Sequence, residues 1–167
     1  QMGDPRDEAT DVGPLISDEA AKRVGSWLKE AVDGGAQVLC GGEISGRMMQ
    51  PTLLIDVQKD MKVVCEEVFA PLVSIIPFDS FDEAIAMVND SRYGLNAGVF
   101  TRDLKEAFRA VDELEVGSVI INDSSAYRAD HMPYGGVKSS GLGREGVKFA
   151  IEEMTEIKFA AIRLPEG

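Results

Sequence analysis

Short apolar runs alternate with capped amphipathic helices along this chain, and this alternation limits the fold most. A helix is predicted after Ser17, whose hydroxyl suits an N-cap, and its apolar stripe ends at Gly34. Further helices are predicted after Ser80 and Asp103, each followed three residues later by a glutamate. Strands that alternate with helices over short links favour parallel pairing. We therefore predict an α/β fold, a mainly parallel sheet with flanking helices.

The apolar patterns also predict which faces are buried. The run 72–78 is apolar on both faces apart from Ser74, as expected of a strand covered on both sides. Alternating charged and apolar residues over 155–158 open a final strand predicted for 155–164. Three helices are expected to bury one apolar stripe each, formed by Phe81, Ala84, Ile85 and Val88, by Leu104, Ala107, Phe108, Val111 and Leu114, and by Val147, Ala150, Ile151 and Met154.

Length and charge narrow the class of protein. With 167 residues and no linker or repeat, the chain 1–167 is predicted to form one undivided domain. Its net charge of −12 argues against nucleic acid and anionic membranes as partners. The apolar stretches are too short to span a bilayer, and the first residues lack a leader pattern. A cytoplasmic, soluble protein is the expectation.

The cysteines and the histidine offer little chemistry by themselves. Cys40 and Cys65 are expected to be reduced, small and mostly buried packing residues. No neighbour of Cys65 in sequence is a base or cation that would activate its thiol, so it is not predicted to be a nucleophile. One histidine, with no cluster of His, Cys and carboxylate at ligand spacing, argues against a metal site.

Three motifs in fixed order carry the functional signal. They are Glu66–Pro71 (EEVFAP), Tyr93–Thr101 (YGLNAGVFT) and the glycine-rich Met132–Lys148 (MPYGGVKSSGLGREGVK). In this order and at these separations they resemble the C-terminal part of the catalytic domain in the aldehyde dehydrogenase superfamily. In that family the nucleophilic cysteine, the general-base glutamate and the dinucleotide turn lie earlier in the chain. The resemblance therefore implies a piece that is inactive alone.

The resemblance also implies an activity for the intact enzyme. Such enzymes oxidise an aldehyde to a carboxylic acid with NAD or NADP, through a cysteine thiohemiacetal and thioester. The final strand, about 155–164, is similar to the family's oligomerisation strand, so a homo-oligomer is expected. The alternative from another class is a non-catalytic α/β binding or regulatory module, because a fold does not fix a function.

Two residues of the first motif match cofactor-binding positions. By the resemblance, Glu67 hydrogen-bonds the nicotinamide ribose hydroxyls, a task that suits a carboxylate with two acceptor oxygens. Phe69 matches an aromatic residue that packs near the nicotinamide. The alternative is that Glu66 and Glu67 are solvated loop carboxylates and that Phe69 belongs to the core.

Four residues are candidates for the aldehyde side. By the resemblance, Asn122 and Tyr134 flank a loop that lines the substrate entrance, and this loop contains Arg128 and His131. A guanidinium suits carboxylate, phosphonate or sulfonate groups, which predicts a small anionic aldehyde. The alternative is a solvated Arg128 paired with Asp130, and a surface role for His131.

The glycines of the third motif also match a dinucleotide fingerprint. Gly141, Gly143 and Gly146 have that spacing, but they follow a long loop rather than a strand and lead to a final strand. Glu145 would place a carboxylate where a pyrophosphate should bind. We expect these glycines to allow close packing between loop and helix instead.

Overall fold

The computed structural model describes residues 1–164. The contacts group the chain into two units, Gln1–Phe78 and the part from Asp79 onward. Each unit has its own cluster of buried apolar side chains. The buried apolar side chains therefore form two clusters, and the single domain over 1–167 stays a prediction.

The first unit begins its regular structure with a helix. Helix α1, Asp18–Asp33, starts after Ser17, whose Oγ accepts the backbone N–H of Ala20 at 3.1 Å, and ends at Gly34. The predicted cap and end are both confirmed. The later elements are β1 (Gln37–Cys40), β2 (Ile44–Ser45), β3 (Met48–Met49), β4 (Thr52–Ile55), α2 (Lys62–Cys65) and β5 (Leu72–Ser74).

The sheet of the first unit has three strands with β4 in the middle. Strand β4 pairs antiparallel with β1 and parallel with β5. Strands β2 and β3 form a separate hairpin. Val24 of α1 packs with Met49 and Leu54, and all three side chains are completely buried. This core supports α2 and the loop that follows it.

The second unit repeats the order of helix and strand. Its elements are α3 (Phe81–Asn89), β6 (Tyr93–Gly94), β7 (Asn96–Val99), α4 (Leu104–Glu113), β8 (Ser118–Ile121), β9 (Val137–Lys138) and α5 (Val147–Met154). Both predicted caps form: Ser80 Oγ accepts the N–H of Glu83 at 3.2 Å, and Asp103 accepts the N–H of Lys105 at 2.7 Å. The sequence therefore located these helix starts correctly.

Strand pairing in the second unit is mixed, as in the first. Strands β7 and β8 are parallel and are linked by α4, whereas β6 and β9 are antiparallel. The core is small and contains Ile85, Ala110 and Leu114. The α/β class is confirmed, and among the described strands β1–β9 parallel pairing occurs only in β4–β5 and β7–β8.

Burial is the property that the sequence predicted least well. The run 72–78 is only partly a strand, and Val73 and Phe78 are each 57% exposed. Cys40 and Cys65 are exposed rather than buried. Large side chains of the predicted inward stripes also face solvent, namely Val88, Leu104, Phe108, Val111, Val147, Ile151 and Met154. These predictions were wrong for one reason: no described segment of the chain covers those faces.

The end of the described chain follows the last helix and pairs with no described strand. Helix α5 stops at Met154, where Thr155 Oγ1 donates to the carbonyl of Ile151 at 2.7 Å. The strand predicted over 155–164 has no partner among residues 1–164, and Ile157 and Phe159 are almost fully exposed. A β-strand is stable only beside another strand. The strand over 155–164 therefore stays a prediction, and it requires pairing with a second chain. No helix in the described part has the length and apolar content to cross a bilayer.

Candidate functional site

The 66–70 loop, Glu66–Ala70, connects α2 to β5 and displays two candidate residues. Val68 and Ala70 pack against the core of the first unit, whereas Glu67 and Phe69, which alternate with them along the chain, are exposed. This alternation directs a carboxylate and an aromatic ring toward solvent from a backbone that the core holds. The candidates for the cofactor are thus displayed by one short loop.

Phe69 is held in an unusual backbone conformation. Its φ is 49°, in the left-handed region, and its side chain is 75% exposed. For a residue with a Cβ, this conformation costs about 1–2 kcal/mol. The alternative that Phe69 is a core residue is therefore wrong. Strained backbone under an exposed aromatic ring is typical of a binding position.

Arg23 of α1 is a residue that the sequence did not single out. Its guanidinium donates to the carbonyl oxygens of Glu67 and Val68, at 3.3 Å and 2.9 Å, and stacks on Trp27. No local pattern links residues that are 44 positions apart. The sequence therefore indicated the 66–70 loop as a candidate site but did not indicate that Arg23 holds it.

Asn122 lies at the carboxyl end of β8 and has a positive φ of 60°. Asparagine tolerates this region better than most residues do. Its Oδ1 accepts the backbone N–H of Thr101 at 2.9 Å, which ties together the chain segments that follow β7 and β8. The Nδ2 group is left as the donor that Asn122 can offer to a ligand.

Arg128 contacts an aromatic ring and a carboxylate. Its guanidinium lies 4.2 Å from the ring centre of Tyr134 and donates from Nη2 to Glu145 Oε2 at 2.8 Å. The hydrogen bond to Glu145 is the main cause that raises the pKa of Arg128. The alternative pairing of Arg128 with Asp130 is wrong, because Asp130 contributes only the smallest of the electrostatic attractions and no hydrogen bond.

Tyr134 and Glu145 are themselves paired through the backbone. The N–H of Tyr134 donates to Glu145 at 3.2 Å, and the N–H of Glu145 donates back at 2.6 Å. This two-residue ladder places the ring and the carboxylate on strands that pass side by side. Arg128 therefore meets both groups at once, and Glu145 is a second residue whose role the sequence did not indicate.

His131 lies apart from this group. It lines an open cavity of about 590 Å³ together with Asp130, Val147, Lys148, Ile151 and Glu152. A second cavity of about 460 Å³ is lined by Tyr134, Glu145, Arg144 and the glycine-rich turn. The structure brings Arg128 and Tyr134 together, and places His131 and Asn122 elsewhere in the same unit.

The glycine-rich turn packs on its own helix. Glu153 of α5 accepts the backbone N–H of Arg144 at 3.0 Å, and a Cβ at Gly143 would lie 2.6 Å from that carboxylate. Within the described residues, a carboxylate thus occupies the position that a phosphate would take, which supports the packing interpretation. No three His, Cys or carboxylate side chains among residues 1–164 are grouped to hold a metal ion.

Each unit presents candidate ligand-binding side chains on a loop: Glu67 and Phe69 in the first unit, and Arg128 stacked on Tyr134 in the second. The sequence pattern of the aldehyde dehydrogenase family matches residues 1–160. The chain belongs to that family.

Three relatives show the kind of enzyme that this chain is similar to. A 3-sulfolactaldehyde dehydrogenase of Priestia megaterium is 55% identical over 163 residues, which cover 98% of this chain and 34% of the relative. Aldehyde dehydrogenase 21 of Physcomitrella patens, solved with its reaction product succinate, matches with a TM-score of 0.91 and 46% identity, over 93% of this chain and 32% of that one.

The third relative is a glyceraldehyde-3-phosphate dehydrogenase of Methanocaldococcus jannaschii, solved with NADP. It has a TM-score of 0.90 and 46% identity over 95% of this chain and 34% of that one. The chain thus spans about a third of the length of each of these three relatives.

Proposed function

We propose that this chain supplies cofactor and aldehyde contacts in an enzyme that oxidises a small anionic aldehyde to a carboxylic acid with NAD or NADP. The observation that carries the proposal is the guanidinium of Arg128, half exposed and stacked on Tyr134 in the loop after β8. A planar fork resting on an aromatic face suits a carboxylate, phosphate or sulfonate.

The names of the relatives support an anionic substrate. Sulfolactaldehyde carries a sulfonate, succinate carries a carboxylate at each end, and glyceraldehyde 3-phosphate carries a phosphate. Their shared feature is an acidic group beside the reacting carbon chain. The same feature is what Arg128 would bind. Asn122, through its Nδ2 donor, and His131, beside its own cavity, are the further contacts that we assign to the aldehyde side.

The 66–70 loop fits the cofactor. Glu67 offers an exposed carboxylate for ribose hydroxyls, and Phe69 offers an exposed ring for the nicotinamide. When bound, the nicotinamide supplies the chemistry by accepting a hydride from the substrate. The residues of this chain bind and orient it, and they do not distinguish NAD from NADP.

The final segment supports a homo-oligomer. Ile157 and Phe159 are two residues apart, Ile162 and Leu164 are also two residues apart, and all four are at least 80% exposed. An exposed apolar segment of this kind, if it adopts the predicted strand, is a template for pairing with another chain. Self-association of the full-length protein that Phe159→Glu abolishes in sedimentation would support this assignment, and a monomeric unmodified protein would contradict it.

The test of the function uses the full-length protein that contains this chain. Reduction of NAD or NADP is measured with an anionic and a neutral aldehyde of similar size, for Arg128→Leu and for Arg102→Leu as an exposed control on the same unit. Loss of a charged hydrogen bond costs about 1.5–3 kcal/mol. We expect Arg128→Leu to lower kcat/KM about ten- to a hundredfold for the anionic aldehyde only.

Equal loss on both aldehydes would mean that Arg128 only holds its loop, and the anionic substrate would be abandoned. No turnover with any aldehyde by the unmodified protein would favour the non-catalytic binding module.

A further inference from the structure

One side chain connects α1 to the 66–70 loop. Arg23 lies on α1 one turn before Trp27, and its guanidinium carbon is 4.5 Å from the centre of the indole ring. Nη1 donates to the carbonyl of Glu67 at 3.3 Å, and Nη2 donates to the carbonyl of Val68 at 2.9 Å. The guanidinium thus binds backbone rather than a carboxylate.

The two acceptors belong to consecutive residues. In an extended chain consecutive carbonyls point in opposite directions, so a single guanidinium reaches both only where the backbone bends. The residue that follows, Phe69, has a positive φ of 49°, so the backbone also leaves the extended conformation directly after this pair of carbonyls. A planar fork with two parallel donors matches this pair of oxygens, whereas a lysine ammonium offers no such geometry.

Trp27 supports the Arg23 guanidinium from the face of its indole ring. The indole packs against the core of the first unit and is partly buried, so it is a firm support for the guanidinium. Stacking on a ring limits the orientations of the fork before it meets the loop. Helix, ring, guanidinium and loop therefore form one continuous set of contacts within the first unit.

We propose that Arg23 is a positioning residue for the nicotinamide cofactor. Its guanidinium holds the bent backbone from which Glu67 and Phe69 project, so that both side chains are arranged before the cofactor binds. The inference rests on the proposed function in one respect, which is that Glu67 contacts the cofactor. It adds a residue that has no direct contact with the cofactor and acts only through the loop.

The experiment uses the full-length protein and four variants. Arg23→Met removes the fork but keeps an apolar stem, and Arg23→Lys keeps a positive charge near Trp27. Arg47→Met is the matched control, because Arg47 also donates to a backbone carbonyl of the first unit, that of Ile16 at 3.4 Å. Glu67→Gln tests the proposed cofactor contact itself. The readouts are hydrogen exchange of the amides of residues 67–70 and the Kd of the reduced cofactor by fluorescence titration.

We expect faster exchange across 67–70 and a Kd raised about tenfold in Arg23→Met, since the loop must then be ordered on binding. Arg23→Lys should give a smaller rise, and Arg47→Met should match the unmodified protein in both readouts. If Arg23→Met does not fold, the comparison of Arg23→Lys with Arg47→Met decides, and equal values in both readouts overturn the inference.

Two further outcomes separate this inference from the proposed function. If Glu67→Gln raises the Kd of the cofactor and Arg23→Met leaves that Kd unchanged, only the proposed role of Arg23 is overturned. An unchanged Kd in Glu67→Gln overturns the cofactor contact, and with it the reason for positioning the loop.

Discussion

Glu145 accepts a hydrogen bond of 2.8 Å from Nη2 of Arg128, so the cation proposed to meet the substrate already has a carboxylate partner. Their side chains are 49% and 66% exposed. An exposed ion pair of this kind is worth about 0–1 kcal/mol, which an entering anionic group can replace. We therefore expect the carboxylate to compete with an anionic substrate without preventing its binding.

Removal of the Glu145 carboxylate should change KM for an anionic aldehyde in one direction. Glu145→Gln in the full-length enzyme should lower KM for an anionic aldehyde about two- to fivefold, since the guanidinium loses a charged partner. KM for a neutral aldehyde should not change. Steady-state kinetics with both aldehydes measure the difference. A rise in KM for both would show that Glu145 serves mainly to hold Arg128 and its loop.

The isolated chain should not oxidise aldehydes. Cys65 is exposed, but the contact described for its Sγ is with the carbonyl of Asp60 at 3.5 Å, which is an acceptor and not a general base. Purified chain with aldehyde and NAD or NADP should give no reduced cofactor above the blank. Turnover that disappears in Cys65→Ser would contradict this prediction.

Gly117 is the glycine whose replacement should harm the second unit most directly. A Cβ at this position would lie 1.6 Å from the carbonyl oxygen of Gly135, and neither backbone can move without disturbing the strand that follows. Gly117→Ala should destabilise the chain by at least about 1–3 kcal/mol. Thermal unfolding measures the loss as a lower Tm.

Gly25→Ala is the matched control for this substitution. The new methyl group would meet only the Cδ1 of Ile44 at 3.5 Å, inside α1. Alanine is favoured over glycine in a helix by about 1 kcal/mol, so this variant should unfold at the same or a higher temperature. Two equal decreases in Tm would contradict the steric explanation.

The Arg109–Glu113 pair predicts one pH dependence. Arg109 donates to Glu113 at 2.7 Å and holds the pKa of that carboxyl below its ordinary value of 4.5. A lowered pKa in the folded chain means that the pair stabilises above pH 4.5 and that this contribution is lost as the pH falls further.

Glu113→Gln should therefore lower Tm at neutral pH, and its difference in Tm from the unmodified protein should shrink as the pH falls below 4.5. Asp112→Asn, an exposed carboxylate on the same helix, is the control that should not show this convergence. Thermal unfolding at a series of pH values measures this change. A difference in Tm between Glu113→Gln and the unmodified protein that does not depend on pH would exclude the ion pair as its cause.

The sequence predicted local features such as helix caps, but it did not predict contacts between segments that are distant in the chain. Ser17, Ser80 and Asp103 cap helices where predicted, because a cap depends on neighbours within one turn. The predicted burial of Phe108 was wrong, because an apolar pattern in the sequence shows that a helix face is apolar but does not show what covers it. The partner of Arg128 was missed for a similar reason: Glu145 is 17 residues away and approaches only through the ladder with Tyr134.

That ladder also closes residues 135–144 into a compact loop with its ends side by side. Leu142, in its outer part, is fully exposed. The entropy of closing such a loop grows slowly, by about 0.6 kcal/mol for each doubling of its length. Extra residues beside Leu142 should leave the junction at Tyr134 and Glu145 intact. The position of Leu142 is accordingly one place in the second unit where sequence can be added without disturbing the contact of Arg128 with Tyr134 and Glu145.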